Sequence, residues 1–166
     1  MTTETTLTYH EIPPVYDMHS QILILGSFPS VKSREGEFFY HHPQNRFWKT
    51  LAGVLGCDVP ASVAEKKEML LSHHIAVWDV IASCTIKGSS DSSIQNVSVN
   101  NLHLILEQAP IRQIYCNGGK AYDLYDKYCK ERFLRDAIKL PSTSPANAAF
   151  SAERLIQEWQ VIRKNL

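Results

Sequence analysis

Short apolar runs alternate with segments of helical periodicity along most of the chain. Four runs are almost continuously apolar, which is typical of strands buried on both faces of a parallel sheet. They cover residues 21–25, 75–81, 111–116 and 137–140. Apolar residues recur at helical spacing over residues 44–55, 65–73, 102–108, 120–129 and 152–163. This alternation predicts the α/β class, as a single-domain αβα sandwich with a four-stranded, mainly parallel central sheet.

The first 20 residues lack this pattern. They begin with a polar, Thr-rich stretch, and Pro13 and Pro14 oppose helix formation. We therefore expect a loosely held N-terminal arm over residues 1–20 and a single domain over residues 21–166. The chain has neither the basic start and apolar core of a signal peptide nor an apolar run of about 20 residues, so we expect no membrane association.

Charge and cysteine content narrow the function classes. Seventeen basic residues balance 17 acidic ones, and the formal net charge of zero argues against a polybasic protein that coats nucleic acid. The four cysteines, at positions 57, 84, 116 and 129, include no CxxC pair. This spacing favours buried, reduced thiols over a metal site, so we expect no metal.

Polar and conformationally special residues cluster where the predicted strands end. They occupy residues 26–30, 79–84, 117–119 and 141–147. Because the carboxyl ends of parallel strands face the same way, these loops should line one crevice. A further segment, residues 38–46, combines aromatic rings, imidazoles, an amide and a guanidinium, which suits a stacked heterocycle. Phosphate-loop, dinucleotide and acyl-hydrolase motifs are absent from the sequence.

Five motifs in order carry a family resemblance. They are ILGSFPS at 24–30, YHHPQNRFWK at 40–49, VWDVIASC at 77–84, CNGGKAY at 116–122 and LPSTSPANA at 140–148. With them the chain resembles the uracil-DNA glycosylase superfamily and, within it, the hypoxanthine-DNA glycosylase branch. The resemblance implies the fold of that superfamily and a base-excision repair enzyme without a cofactor. Its partner would be DNA carrying a deaminated base, most of all hypoxanthine, flipped out of the helix.

One departure from the superfamily affects the chemistry. Most of its branches place Asp or Asn at the third position of the first loop to hold the attacking water, and this chain has Phe28 there. By resemblance to the hypoxanthine branch, the catalytic residue is Asn45. An amide can position water but cannot act as a base at neutral pH. The alternative for Asn45 is a helix N-cap.

The resemblance also implies residues that contact the base. These are Gly26, Ser27, Phe28, Tyr40, Asp79 and Asn117. Tyr40 takes the place of the base-stacking aromatic, with core packing as its alternative. Asp79 reads the base or caps a helix, and Asn117 contacts the base edge or forms a turn before Gly118.

Further residues are expected to contact DNA. The loop resembling the one that enters the minor groove contains Ser142, Thr143, Ser144, Pro145 and Ala146, with a rigid turn as its alternative. Phosphate contacts could come from Lys32, Arg34, Arg46 and Lys49, although scattered surface charges are the default. The roles of His41 and His42 stay open. No lysine lies in either of the superfamily's two signature loops, so we expect a monofunctional enzyme without a Schiff base.

Three function classes therefore remain. The favoured class is a hypoxanthine (deoxyinosine) glycosylase. The second is a uracil or mismatch-specific glycosylase, against which Phe28 counts. The third is a non-catalytic base- or nucleotide-binding domain, or an enzyme that acts on another substrate. For the favoured class we expect a monomer in the cytoplasm, associated with the nucleoid, of a bacterial or archaeal cell.

Overall fold

Seven strands are formed within residues 5–166, the part of the chain that the computed structural model describes. They are β1 (Thr6–Tyr9), β2 (Ile22–Gly26), β3 (Ile75–Asp79), β4 (Ile81–Ile86), β5 (Gln95–Val99), β6 (Gln113–Asn117) and β7 (Ala137–Leu140). They form two sheets. One sheet has the order β3-β2-β6-β7 and the other has the order β1-β4-β5.

The four-stranded sheet is parallel throughout. Residues 22–25 of β2, a central strand, are fully buried. Because successive side chains of a strand point to opposite faces, this burial requires both faces of the sheet to be covered. The predicted α/β class with a four-stranded parallel sheet is confirmed, and the four strands lie within two residues of their predicted starts.

Helices connect the strands. They are α1 (Val31–Gly36), α2 (Phe47–Leu55), α3 (Val63–Ser72), α4 (His103–Leu106), α5 (Gly119–Tyr128), α6 (Lys130–Phe133) and α7 (Ala152–Trp159). Two 3₁₀ turns are Asp91–Ser93 and Gln160–Asn165. Serine side chains cap α1, α3 and α7 by accepting hydrogen bonds from first-turn N–H groups. The sequence pattern did not reveal the short helices α1 and α6.

Packing of α2 on α7 positions one side of the candidate site. The ring of Phe47, the first residue of α2, lies edge-on against Trp159 of α7 with centroids 5.9 Å apart. The Trp159 indole N–H donates to the Pro141 carbonyl at 2.9 Å. The start of α2 and the loop after β7 are thereby held side by side.

The prediction of one continuous strand over residues 75–81 is wrong at its C-terminal end, because β3 ends at Asp79. The chain leaves the parallel sheet at Val80, whose N–H donates to the Gly26 carbonyl at 2.8 Å, and continues as β4 of the antiparallel sheet. The buried Asn100 amide donates to the Asp79 and Ile81 carbonyls on either side of the break. A local apolar run cannot show such a change of sheet, because its residues stay buried in both.

The prediction of a loosely held N-terminal arm is also wrong for its described part, while residues 1–4 lie outside the described residues. Strand β1 pairs with β4, and Val15 exchanges two backbone hydrogen bonds with Val77. Ile12 and Val15 are buried in the core. The pairing joins segments more than 60 residues apart in sequence, so no local pattern could reveal it.

The cysteines are free thiols, three of them buried and Cys57 exposed, which corrects the expectation of four buried ones. Burial raises the pKa of the Cys116 thiol to about 12 and that of Cys129 to about 11, so both stay protonated near neutral pH. No group of three metal-ligating side chains is assembled within residues 5–166. No helix in this range is long and apolar enough to cross a membrane.

Replacing Leu23 by alanine should destabilise the protein by about 2–5 kcal/mol, because a fully buried side chain of the central strand would leave a cavity. Urea unfolding followed by circular dichroism measures this change. The matched control is Leu134→Ala, since Leu134 is 87% exposed and its truncation should change stability by less than about 0.5 kcal/mol. Equal effects of the two substitutions would contradict the placement of β2 at the centre of the core.

Candidate active site

A cavity of about 370 Å³ opens at the carboxyl ends of the parallel strands. Its size lies in the range of small-molecule sites. Its walls come from four loops, from Ser33 of α1, and from Asp79 and Asn117 at the ends of β3 and β6. The lining residues are Ser27, Phe28, Pro29, Ser30, Ser33, Phe39, Tyr40, His42, Asn45, Asp79, Ser89, Asp91, Asn117, Ser142, Thr143, Ser144, Pro145 and Ala146. The structure therefore brings together the predicted catalytic residue, five of the six predicted base contacts and the whole predicted DNA loop.

Thr143 joins its own loop to the end of β6 and to the segment before α2. Its hydroxyl accepts a hydrogen bond from Asn117 Nδ2 and donates one to Asn45 Oδ1, both at 2.9 Å. Its backbone N–H donates to Asn117 Oδ1 at 3.0 Å, and its carbonyl accepts from the Arg46 N–H at 3.0 Å. The side chain is fully buried, so Thr143 cannot touch DNA as predicted. It instead fixes the positions of its neighbours.

Asn45 lines the cavity directly before Arg46, which is the N-cap of α2, so the helix N-cap alternative for Asn45 is wrong. Its Oδ1 accepts from the Phe47 backbone N–H at 2.9 Å, in a turn just before the helix, and from the Thr143 hydroxyl. Because a backbone N–H can only donate, these contacts fix which end of the amide is oxygen. Nδ2 has no hydrogen-bond partner among the described residues and is not enclosed by protein atoms. A free N–H donor is thus available at the cavity wall.

Arg46 organises the loop after β7. Its guanidinium donates to the carbonyls of Ser144 at 2.9 Å and Asn147 at 2.8 Å, and also to that of Phe150. Its Nε is buried without a partner. The side chain that we predicted to contact phosphate is therefore occupied with backbone carbonyls, and we replace that prediction with a positioning role.

Internal hydrogen bonds hold the tip of the loop after β7 in place. Ser142 Oγ accepts from the Ser144 N–H at 3.1 Å, and Ser144 Oγ accepts from the Ala146 N–H at 3.2 Å. Pro145 and Ala146 are exposed at the tip. These short internal hydrogen bonds and the contacts with Arg46 hold an exposed apolar edge beside the cavity.

Asn117 ends β6 and faces the same loop. Both polar atoms of its side chain bond to Thr143, which differs from the base contact and from the simple turn that we considered. Gly118 follows with φ of +95°, a backbone region that favours glycine. A Cβ there would lie 3.0 Å from Ser142 Cβ, so a side chain would push the two loops apart.

Phe28 forms an apolar wall of the cavity. Its ring is 8% exposed and meets the His10 ring edge-on, with centroids 6.0 Å apart. The Arg34 guanidinium lies 5.4 Å from the Phe28 ring centroid and donates to the Gly88 carbonyl at 3.1 Å. Arg34, predicted to contact phosphate, therefore links two loops in the structure.

Tyr40 has a strained backbone and a fixed ring. Its φ of +50° is in the left-handed region, which is unfavourable for a residue with a side chain. The Trp48 indole N–H donates to its carbonyl at 3.2 Å, and its ring stacks on Phe47 with centroids 3.9 Å apart. Burial raises the pKa of the phenol above its ordinary value, and the negative charge of Asp79 adds to this effect.

Asp79 lies at the bottom of the cavity and caps no helix. Its Oδ2 accepts from His10 Nε2 at 2.8 Å, and both side chains are almost fully buried. His10, which the sequence analysis placed in the arm, is the clearest omission among the predicted site residues. The two residues are 69 positions apart and no local motif links them.

The loop between β4 and β5 forms a second wall that the prediction omitted. Asp91 Oδ1 accepts from the Ser27 hydroxyl at 3.0 Å, and Ser89 Oγ accepts from the Val31 N–H at 2.8 Å. Desolvation raises the pKa of Asp91, and the hydrogen bond from Ser27 partly offsets this rise. The Gly/Ser/Asp composition predicted a loop here but not its contact with the site.

The remaining predicted contacts lie outside the cavity or at its rim. Lys32 is exposed and pairs with Glu35 at 3.8 Å, and Lys49 is exposed on α2. His42 is at the rim, where its Nδ1 accepts from the Gln44 N–H at 3.1 Å. His41 does not line the cavity.

Comparison with known proteins connects this geometry to a family. Residues 13–163 match the family model of the uracil DNA glycosylase superfamily. The hypoxanthine DNA glycosylase of Methanosarcina acetivorans is 32% identical over 151 residues, covering 90% of this chain and 94% of its own. That of Methanosarcina barkeri is 31% identical over 136 residues, covering 81% and 85%.

A solved structure is also similar to this chain in fold. The solution NMR structure of a protein described as a candidate uracil DNA glycosylase from Methanosarcina acetivorans superposes with a TM-score of 0.80 at 31% identity. The match covers 95% of this chain and 96% of that chain. The resemblance carried by the five sequence motifs is confirmed. The chain belongs to the uracil DNA glycosylase superfamily.

Proposed function

We propose that this protein is a monofunctional DNA glycosylase that removes hypoxanthine from a flipped deoxyinosine. The observation that carries the proposal is the Asn45 amide, whose oxygen is held by Phe47 and Thr143 while its Nδ2 is free at the cavity wall. Two relatives similar over most of their length bear the name hypoxanthine DNA glycosylase.

The proposed reaction is hydrolysis of the bond between C1′ of the sugar and N9 of the base. The bonding electrons leave with N9, an oxocarbenium-like sugar forms, and water adds to C1′. The water proton ends on the released base. Asn45 Nδ2 donates a hydrogen bond to the water oxygen and leaves another lone pair directed at C1′. Positioning of this kind lowers the barrier without a strong base.

Phe28 lines the cavity at the position where most branches of the superfamily hold the attacking water with Asp or Asn. Its ring can neither hydrogen-bond to water nor activate it. No lysine lines the cavity within residues 5–166. Hydrolysis by water therefore fits the lining better than attack by an amine, which would form a Schiff base.

We propose that the tip of the loop after β7 enters the DNA and fills the space left by the flipped nucleotide. Pro145 and Ala146 are small, exposed and adjacent to the cavity. Lys32 and Lys49, both exposed, remain our candidates for phosphate contacts. With a formal net charge of zero, binding should depend on this local shape more than on bulk attraction.

Uracil release is the second candidate activity. The HP-x-NRFW segment is similar to the mismatch-specific branch, and the solved structure described above is of a candidate uracil DNA glycosylase. Phe28 counts against efficient uracil removal, because it replaces the water-holding side chain of most branches.

Base release from matched oligonucleotides tests the proposal. Duplexes carrying one deoxyinosine, deoxyuridine or deoxyxanthosine are incubated with enzyme and then cleaved with alkali at abasic sites. We expect release to be fastest from deoxyinosine. Fastest release from deoxyuridine would make uracil the preferred base in place of hypoxanthine. No release from any duplex would refute the glycosylase activity.

Asn45→Ala should lower the single-turnover rate of hypoxanthine release by about 10²–10³-fold while DNA affinity stays within a few-fold, because it removes a positioned hydrogen-bond donor. The substitution also removes the hydrogen bond from the Phe47 N–H to Asn45 Oδ1, worth about 1 kcal/mol. Asn101→Ala is the matched control, since Asn101 Oδ1 accepts from the His103 N–H at the start of α4, outside the cavity. Equal rates for the two variants would make Asn45 a structural residue only.

A further inference from the structure

The charge on the cavity lining is of the wrong sign for binding DNA. Two acidic side chains, Asp79 and Asp91, line the cavity, and among the described residues neither lysine nor arginine does. Carboxylates repel the phosphates of DNA and so weaken the binding of uncleaved substrate. Such a group still favours a reaction if it stabilises the transition state more than the substrate. The two carboxylates therefore need separate consideration.

The two carboxylates lie at different depths. Asp79 is 3% exposed at the bottom of the cavity, and its Oδ2 accepts from His10 Nε2. Asp91 lines the cavity but is exposed to solvent, so it is nearer the mouth. A flipped base enters the cavity first, while its sugar stays joined to the DNA backbone outside. Asp91 is thus at the level of the sugar rather than at that of the far edge of the base.

The position of Asp91 is fixed from two sides. Its Oδ1 accepts from the Ser27 hydroxyl at 3.0 Å, which ties it to the loop after β2. In the same loop as Asp91, Ser89 Oγ accepts from the Val31 N–H at 2.8 Å, which ties that loop to the start of α1. The carboxylate is therefore held in place before any ligand binds, as electrostatic stabilisation of a transition state requires.

The second oxygen of Asp91 is available. Oδ2 has no hydrogen-bond partner within residues 5–166 and is not enclosed by protein atoms. Desolvation raises the pKa of the carboxyl, whereas the Ser27 hydroxyl and the positive charge of Lys120 lower it and that of Asp79 adds to the rise. Because a hydrogen-bond donor and a cation both favour the charged form, Asp91 keeps its negative charge near neutral pH.

We propose that the Asp91 carboxylate stabilises the positive charge that develops on the sugar during base release, which makes Asp91 a second catalytic residue. This inference rests on the proposed glycosylase function. The charge of an oxocarbenium-like sugar is shared between C1′ and O4′. Asp91 acts on it through space, without forming a bond to C1′ or taking a proton. The electron pair still leaves with N9, and the oxygen of water still closes C1′.

Asp91 supplies what the other cavity residues lack. The Asn45 amide can position water but carries no charge, and the Phe28 ring is apolar. Ser27, which directly precedes Phe28, brings the carboxylate of a different loop to this side of the cavity. Asp91 lies outside the five sequence motifs that carry the family resemblance. Only the contact between loops 64 positions apart shows its place in the site.

Affinity for a cationic sugar analogue tests the inference without base release. Dissociation constants are measured by fluorescence anisotropy near neutral pH for two duplexes. One carries a pyrrolidine ring whose protonated nitrogen replaces C1′, and the other carries the neutral tetrahydrofuran ring of an abasic site. We expect the unmodified protein to prefer the cationic ring. Asp91→Asn keeps the size and can still accept from Ser27, and it should reduce this preference about 10–100-fold through the loss of one charge.

The rate of base release gives a second readout. Asp91→Asn should lower the single-turnover rate of hypoxanthine release about 10–100-fold. Its affinity for the tetrahydrofuran duplex should stay the same or rise, because a charge that repels DNA is removed. Asp58→Asn is the matched control, since Asp58 is exposed and lies outside the cavity, and it should change neither the preference nor the rate.

Three results would overturn the inference. They are equal affinity of the unmodified protein for the two rings, an unchanged preference in Asp91→Asn, and an equal loss of affinity for both rings in Asp91→Asn. The last result would make Asp91 a structural residue. Failure of the proposed function is a separate outcome, because it is the absence of base release from deoxyinosine by the unmodified protein.

Discussion

The site depends on one buried side chain, Thr143, whose hydroxyl lies between the amides of Asn117 and Asn45. Asn117 ends a strand of the parallel sheet, and Asn45 precedes α2. The end of β6 and the segment before α2 are not joined by strand pairing within the described residues. A hydroxyl can donate and accept at once, so a single threonine satisfies both amides and fixes their orientation. In a buried place the loss of such a bridge leaves polar groups unpaired, which is costly.

This constraint fits a catalyst that works by position. Asn45 cannot remove a proton from water, and the neighbouring wall, Phe28, is apolar. In the proposed reaction, the rate of base release then depends on how firmly the Asn45 amide is oriented and on how well the flipped base is held. Thr143 and the Phe47 N–H hold the amide, and the proposed function assigns the base to the cavity that these residues adjoin. Because the formal net charge is zero, the proposed function relies on the loop after β7 for DNA recognition.

The sequence was sufficient for the central sheet and most of the cavity, because both follow from local pattern. Continuous apolar runs mark strands buried on both faces, and the loops at their carboxyl ends must converge. Contacts between segments that are far apart in the sequence could not be predicted from local pattern. The antiparallel sheet, the His10–Asp79 contact and the use of Arg46 on three carbonyls all join distant segments. Full burial of Thr143 among half-buried and exposed loop residues was likewise invisible, since the neighbouring residues are of similar type.

The most direct test of this account is the single-turnover rate of hypoxanthine release by Thr143→Val and Thr143→Ser. Valine keeps the shape of threonine but lacks the hydroxyl, whereas serine keeps the hydroxyl. The account predicts a loss of about tenfold or more for Thr143→Val, with DNA affinity unchanged, and a rate near that of the unmodified protein for Thr143→Ser. Equal rates for valine and the unmodified protein would show that the bridge between Asn117 and Asn45 does not orient the reaction.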